Sequence, residues 1–438
     1  MISKALNTFA IVKVYVTLLC VTIAFSCSPI SKKSLTKTFR ETELKFQDYT
    51  GFMLVDVSNN KTVFEYNSDR YFTPASNTKI FTFYASLSTL GDSIPSLRYV
   101  ERGDSLIFWG TGDPSFLYRN VYDNGKVYSL LSGSRKQLYF SSSNFKTTHF
   151  GSGWAWDDYN DYYSAERSPL PIYGNLFKIE ASATVINTIP KYYQNFVTYA
   201  NSEQEQSVIR NLDDNLLTVQ RPKTKTISKE IPAKVKDDLT VRLLSDTLKK
   251  TVGLVHTTLP HDAKTVYSLP VDSVYKHMMQ ESDNFIAEQL LLVCAGVLSD
   301  TLKTEITIER LESNQLKDMR DEPVWVDGSG LSRYNLFTPR SIVQLWQKIN
   351  AIVPQERLFQ ILAIGGKAGT ISNLYKADKP YIFGKTGSLS NNHCLSGFLI
   401  TKSGKTLIFS FMNSNYAVPT SEIRKNMQNI LNNVYEKY

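Results

Sequence analysis

The sequence predicts an α/β fold of the α+β kind, with one domain built from residues 47–92 and 263–438 around a β-rich insertion at 93–262. Three observations predict it. Near the start, Gly51-Phe-Met-Leu-Val-Asp-Val and Thr62-Val-Phe-Glu-Tyr flank the turn residues Ser58-Asn-Asn-Lys61, which is a hairpin pattern. Near the end, Lys379-Pro-Tyr-Ile-Phe, Cys394-Leu-Ser-Gly-Phe-Leu-Ile-Thr and Thr406-Leu-Ile-Phe-Ser-Phe-Met are strand-like, the last two joined by Lys402-Ser-Gly-Lys405, and a helix follows over about 420–436. Between these ends the composition changes to short alternating stretches rich in tyrosine, serine and asparagine, such as Leu138-Tyr-Phe and Val185-Ile-Asn-Thr-Ile, without long helices.

From the N-terminus, Lys4 and Lys13, the apolar run Val14 to Phe25 and then Ser26-Cys27 read as an export signal over residues 1–27. The run is well short of the roughly 20 residues that span a bilayer, so cleavage is expected. Cys27, directly after a small residue, resembles the lipobox of bacterial lipoproteins, although Ala24 stands where leucine is usual. That implies a lipid on Cys27, with residues 28–46, including the polar stretch Ser31 to Phe46, as a tether. After the hairpin, Ile80, Phe81, Tyr84, Leu87 and Leu90 recur at helical spacing from Ser76 to a stop at Gly91. The pattern is helical again from Val271 to Leu298, with a break near Glu281-Ser282-Asp283. Thr338-Pro339 opens another helix, to about Ile349.

With 438 residues, 42% of them hydrophobic and 21% charged, the chain can bury at least one large core and more than one domain. The net charge of +8 is spread out rather than gathered into arginine-rich or aromatic-interleaved runs, so nucleic acid is not an expected partner. The excess fits an anionic polymer or membrane surface, or an ordinary solvated surface. Four cysteines, two of them in the signal and anchor, give no disulfide framework; Cys294 and Cys394 sit in apolar runs, and a bridge between them stays open. The five histidines, His149, His256, His261, His277 and His393, form no metal-binding spacing.

Three short motifs carry chemistry. Acyl transfer to a serine needs a nucleophile, a base beside it, a proton relay to the leaving amine and donors for the oxyanion. Ser76-Asn-Thr-Lys79 places a serine at a helix start with a lysine three residues on, so both side chains share a face and a deprotonated lysine can take the serine proton. S-x-x-K also begins at Ser34, Ser58, Ser143 and Ser273, but only Ser76 follows Thr73-Pro74-Ala75 and precedes an apolar helix face. Ser282-Asp283-Asn284 supplies a hydroxyl for a relay and an amide for a peptide carbonyl. Lys385-Thr-Gly-Ser388, after a strand-like run, supplies positive charge, hydroxyls for a carboxylate and a glycine that lets substrate approach the backbone. Each alone is a common helix start, turn or strand end; the ordered trio is that of serine β-lactamases and penicillin-binding proteins.

Ser282 lies 206 residues after Ser76, and Lys385 a further 103. This spacing, with Gly110-Thr-Gly-Asp-Pro114, Asp327-Gly-Ser-Gly-Leu-Ser-Arg333 with Asn335, and Gly366-Lys-Ala-Gly-Thr370, resembles the D-Ala-D-Ala carboxypeptidases of peptidase family S13, the class C low-molecular-mass penicillin-binding proteins. The resemblance implies a penicillin-binding, serine β-lactamase-like transpeptidase domain with β-rich domains inserted between the first and second catalytic motifs. It implies that Ser76 attacks the carbonyl between two D-alanines of a peptidoglycan stem peptide, with Lys79 as base. Ser282 then relays a proton, Lys385 supports it, Asn284 orients the peptide, and Thr386 and Ser388 hold the terminal carboxylate beside Gly387. The N–H groups of Ser76 and Ser388 form the oxyanion hole. Gly153-Trp-Ala-Trp-Asp-Asp158 is similar to the segment where the family places an aspartate for the free amino group of diaminopimelate; Asp158 matches it, with Asp157 adjacent. The resemblance further implies no cofactor, β-lactam antibiotics as ligands and a periplasmic location. Thr111, where the family more often has glycine, departs from the pattern, and the insertion looks shorter than in the best-known members.

The competing readings are a β-lactamase with the same trio, for which no deacylating residue can be assigned, and a catalytically silent penicillin-binding scaffold. Packing requires no such set as Ser76, Lys79, Ser282, Asn284 and Lys385, which argues against the scaffold. No G-x-S-x-G elbow precedes a helix, which disfavours a Ser-His-Asp hydrolase.

Overall fold

Successive residues of a strand face opposite sides of its sheet, so a strand apolar at nearly every position needs cover on both faces. Strand Tyr49–Asp56 has seven of its eight residues buried. In the computed structural model, which describes residues 31–121, 125–200, 208–220 and 226–438, this strand lies inside a six-stranded sheet. The expected signal and Cys27 fall outside the described residues. The sheet order is Ala363–Ile364, Ile382–Leu389, Asn392–Ile400, Thr406–Ser414, Tyr49–Asp56 and Lys61–Tyr66, with every neighbouring pair antiparallel. The ends of the chain meet where Tyr49 pairs with Ser414 and Asp56 with Leu407.

Alternation sorts the two cores. Met53, Val55, Phe398, Ile408 and Met412 face a cluster with Ile80, Phe81, Tyr275, Leu290 and Trp346, contributed by the helices Lys79–Thr89, Val271–Gln280, Asn284–Ser299 and Pro339–Ile352. Phe52, Leu54, Leu407, Phe409 and Phe411 face the other side, where the helix Thr420–Lys437 supplies Ile423, Met427 and Leu431. Thr338 caps Pro339–Ile352 through a reciprocal bond with Ser341, and proline at the first turn costs no hydrogen bond.

The expected tether at 28–46 needs correction. Lys32–Phe46 is a helix that buries Leu35, Phe39, Thr42 and Phe46, spaced four, three and four residues apart, against the outer face of the sheet. The surrounding polar residues hid this narrow stripe. Phe39 stands with Phe52, Phe64, Tyr66 and Phe411 at ring centroids 5.1–5.6 Å apart. Glu43 adds a polar clasp, accepting from Thr50 N at 2.9 Å and from Tyr66 Oη at 2.5 Å.

The region between the first two motifs has its own core, with Leu97, Phe108, Leu138, Phe177, Val219 and Ile231. It contains a five-stranded sheet, ordered Val252–Leu254, Gln137–Phe140, Ser105–Gly110, Ser93–Arg102 and Lys264–Pro270, and two three-stranded sheets. Entering and leaving strands pair with each other, Tyr99 opposite Lys264 and Ser93 opposite Pro270, so this sheet runs past the expected edge at 262. It also contains a twelve-residue helix, Asp237–Leu248, that the expectation of no long helices missed. Leu239, Leu243, Leu244 and Leu248 give that helix its buried face.

If the helix Lys32–Phe46 is part of the folded unit, Phe39→Ala should lower unfolding stability by about 3–5 kcal/mol, the usual loss for a large aromatic removed from a core. Urea unfolding of the two proteins measures this; a tether would show no change.

Candidate active site

Ser76 sits on a tight 3-10 turn, Ala75–Thr78, that runs straight into helix Lys79–Thr89. Ala75, immediately before it, has φ 47°, a left-handed conformation that strains a residue with a Cβ. The turn is held from outside. Asn77, inside the motif but unremarked in the sequence, donates to the Lys385 carbonyl at 3.0 Å and accepts from Ser396 Oγ at 2.6 Å.

Lys79 is fully buried, and three oxygens surround its Nζ: Ser76 Oγ at 2.9 Å, Asn284 Oδ1 at 2.6 Å and the Ser329 carbonyl at 2.7 Å. Asn284 Nδ2 donates to the Tyr163 carbonyl at 2.9 Å, and that obligatory acceptor fixes which way the amide points. Two of the three partners of Lys79 therefore only accept. A neutral amine has two N–H bonds and one lone pair, so both N–H bonds are taken and the lone pair faces the Ser76 hydroxyl. Burial brings this state within reach, lowering the amine to about 8 against the carboxylates of Asp327, Asp283 and Glu288, which act to raise it.

The second motif occupies the turn between helices Val271–Gln280 and Asn284–Ser299. Asp283 is the N-cap, its Oδ1 accepting from Ile286 N at 2.9 Å, and Asn284 is the first helical residue. Ser282 takes φ 63° in that turn. Its Oγ accepts from Lys385 Nζ at 2.7 Å. Lys385 also donates to the Thr386 carbonyl at 2.7 Å. Burial, then the facing Lys79 amine, hold Lys385 well below the ordinary lysine range.

Lys385 to Ser388 lie within strand Ile382–Leu389 rather than after it. The sheet thus sets the alternation of their side chains, and Lys385 points inward while Ser388 reaches the cleft. Gly387 packs on the nucleophile turn. A Cβ there would collide with the Pro74 carbonyl oxygen and stand 2.9 Å from the nitrogens of Ser76 and Asn77. Ser388 Oγ hydrogen-bonds His393 Nδ1 at 2.7 Å and accepts from Arg424 Nη2 at 3.4 Å. Burial, then Arg424 and Lys385, push His393 down to about 3, so its ring is neutral. Thr386 Oγ1 donates to Thr370 Oγ1 at 2.7 Å, which ties the third motif to the Gly366–Thr370 stretch.

The segment Asp327 to Arg333 folds around its own aspartate. Asp327 Oδ1 accepts from Gly330 N and Asn335 Nδ2, each at 2.8 Å, and Oδ2 from Ser332 N at 2.7 Å and Trp154 Nε1 at 2.9 Å. Gly330, at φ +85°, lies against the Ala75 carbonyl with no space for a Cβ. The segment is thereby wedged behind the nucleophile, and its Ser329 carbonyl reaches Lys79.

A cleft of about 740 Å³ opens above these groups, lined by Ser76, Asp157, Asp158, Tyr163, Asn284, Arg333, Tyr334 and Ser388. A smaller cavity of about 200 Å³, with Arg98, Asn144 and Asp300 on its wall, holds none of the motif residues. Asp157 and Asp158 both line the main cleft, and Asp158 Oδ1 accepts from Tyr163 Oη at 2.9 Å. Burial raises Asp158 above the usual carboxylate range despite that bond. The structure therefore brings together two hydrogen-bonded groups, Ser76 with Lys79 and Asn284, and Ser282 with Lys385, with Ser388 and Asp158 on the wall of the cleft, Gly387 against the nucleophile turn and Thr386 held aside by Thr370. Cys294 and Cys394 are both free and buried, so the bridge left open by the sequence is not formed. Sequence reading missed Asn77, Tyr163, Ser329, Glu288 and Arg424. Of these, Glu288, four residues after Asn284 on the same helix face, carried a readable signal, a charge in an apolar run.

Comparison with known proteins bears on the fold and the family. The D-alanyl-D-alanine carboxypeptidase DacB of Haemophilus influenzae is 25% identical over 412 residues, covering 82% of this chain and 84% of that protein. The crystal structure of penicillin binding protein 4 from the same organism superposes with a TM-score of 0.76 at 23% identity, covering 93% of this chain and all of that one. The same protein in complex with a β-lactam gives 0.72 at 21% identity, again over 93% of this chain. The model of the D-Ala-D-Ala carboxypeptidase 3 (S13) family matches residues 32–434, and the chain therefore belongs to that family, as its motif spacing implied.

Proposed function

We propose that this protein is a serine D-Ala-D-Ala carboxypeptidase acting on peptidoglycan stem peptides and acylated by penicillin. The observation that carries the reading is the buried Lys79 amine, whose two acceptor-only partners leave its lone pair to Ser76. Ser76 Oγ attacks the carbonyl carbon of the penultimate D-alanine as its proton passes to Lys79 Nζ. The N–H groups of Ser76 and Ser388 receive the oxyanion. Collapse breaks the C–N bond, and the leaving D-alanine nitrogen takes a proton from Ser282 Oγ, which is replaced by the one that Lys79 Nζ received, so that Lys79 is neutral again. Lys385 holds that hydroxyl, and an incoming carboxylate offsets the burial that holds its amine below the ordinary lysine range. Ser388, backed by His393 and Arg424, receives the carboxylate together with Thr386 once substrate draws it from Thr370. Water then attacks the ester carbonyl and gives a proton to Lys79 Nζ; the bond from carbon to Oγ breaks, and Ser76 Oγ takes that proton back.

Asn284 in this reading positions Lys79 and presents its amide edge to the peptide. Asp158, or its neighbour Asp157, meets an amino group on the stem peptide's third residue from the opposite wall. The lipobox-like sequence ending at Cys27 supports a periplasmic enzyme held to a membrane by a lipid on that residue. Endopeptidase action uses the same acylation, differing only in the leaving amine.

Three outcomes test the reading. A fluorescent penicillin should label the peptide holding Ser76 with a stable adduct found by mass spectrometry, and Ser76→Ala should abolish label and D-alanine release with the fold intact. A label lost within seconds means a β-lactamase, and no label means a silent scaffold. Since Lys79 must be neutral to act, acylation should fall as pH drops below about 8, by roughly tenfold per unit, as stopped-flow rates across pH will register. Gly387→Ala should slow acylation by about two orders of magnitude, because its Cβ pushes the strand off the nucleophile turn and displaces an oxyanion donor.

A further inference from the structure

Behind Lys79 lies a second charged group that the acyl-transfer steps do not use. Glu288 is wholly buried on helix Asn284–Ser299, one turn beyond Asn284. Its Oε1 accepts from Ser329 N at 2.7 Å, and the carbonyl of that same residue accepts from Lys79 Nζ at 2.7 Å. Its Oε2 lies 3.5 Å from Nη1 of Arg167, which belongs to the inserted region and is itself only 3% exposed. Arg167 is clamped in place. It donates to the Phe150 carbonyl at 2.9 Å, to the Thr148 carbonyl at 3.2 Å and to Thr304 Oγ1 at 3.3 Å, and it lies 5.7 Å from the centre of the Trp154 ring.

Burying a carboxylate is costly unless a cation and hydrogen bonds offset it, so this pair needs an explanation beyond packing. We propose that Glu288, paired with Arg167, is a positioning residue for Lys79: it fixes the Ser329 peptide that Lys79 faces and places a carboxyl group behind the amine. The inference rests on the acyl-transfer reading of Ser76 and Lys79. The inserted region, through Arg167, then takes part in setting when the catalytic base is free to act. Lys79 also faces Asp327, Asp283 and, across the site, Lys385, while Glu288 faces Asp327 and Arg167. Burial and Asp327 push Glu288 up to about 7, with Arg167 acting against them, so its charge responds to its neighbours.

The test is the pH dependence of penicillin acylation in wild type, Glu288→Gln, Arg167→Met and the double variant, with thermal melting as a check on folding. Glutamine keeps an acceptor for Ser329 N and removes only the charge. The acidic midpoint should therefore move down by roughly half a pH unit or more, a threefold gain in rate below it. Arg167→Met should move the midpoint the same way by favouring protonated Glu288, and the double variant should move it no further than Glu288→Gln alone. Arg167→Lys should restore the wild-type midpoint, which keeps the proposal testable if Glu288→Gln fails to fold. An unmoved midpoint in Glu288→Gln, or additive shifts in the double variant, overturns it, whatever happens to stability. Wild-type protein that takes no label overturns the acyl-transfer reading itself, a result distinct from labelled variants with unmoved midpoints.

Discussion

Everything in the site depends on keeping one amine, Lys79, dry beside a serine, so that it gives up its proton near pH 8 rather than at the ordinary lysine value. Water would leave its pKa at the ordinary lysine value, and a single strong ion pair would raise it further. The fold avoids both. It buries the amine completely, gives its two N–H bonds to an amide and a peptide carbonyl, and leaves nearby carboxylates to act through space. Lys385 is likewise buried, with the Ser282 hydroxyl and the Thr386 carbonyl as its partners.

Holding those partners takes four separate pieces of backbone. The nucleophile turn, the Asp283-capped helix, the Asp327 loop and the strand Ile382–Leu389 each contribute at least one group. They meet because the first and last strands pair in the same sheet, and because Gly330 and Gly387 allow backbone to touch backbone on both sides of Ser76. Local strain at Ala75 and Ser282 is tolerated where so many contacts determine the conformation. The inserted region contributes directly as well: the Tyr163 carbonyl orients Asn284, Trp154 bonds Asp327, and Arg167 faces Glu288.

The sequence by itself determined the parts whose physics is local. Strand alternation, the helix after Ser76, the break at Ser282 and the Thr338-Pro339 helix start all follow from backbone geometry acting over a few residues. The same locality explains the misses. A stripe of Leu35, Phe39 and Phe46 among charged residues gave too weak a signal for a helix until the aromatic face that it covers is known. Strand Lys264–Pro270 joined the inserted region's sheet because its partner, Ser93–Arg102, is far away in sequence.

For the site, sequence named the chemical groups but could not tell a working S-x-x-K from its four duplicates, except by context. Tertiary structure decided that. The three oxygens around Lys79 come from residues 3, 205 and 250 positions away, and its lowered pKa comes from the water that those segments exclude. Spacing along a chain encodes which face a side chain shares with its neighbours. Desolvation depends on everything packed around it, and only the folded chain contains that information.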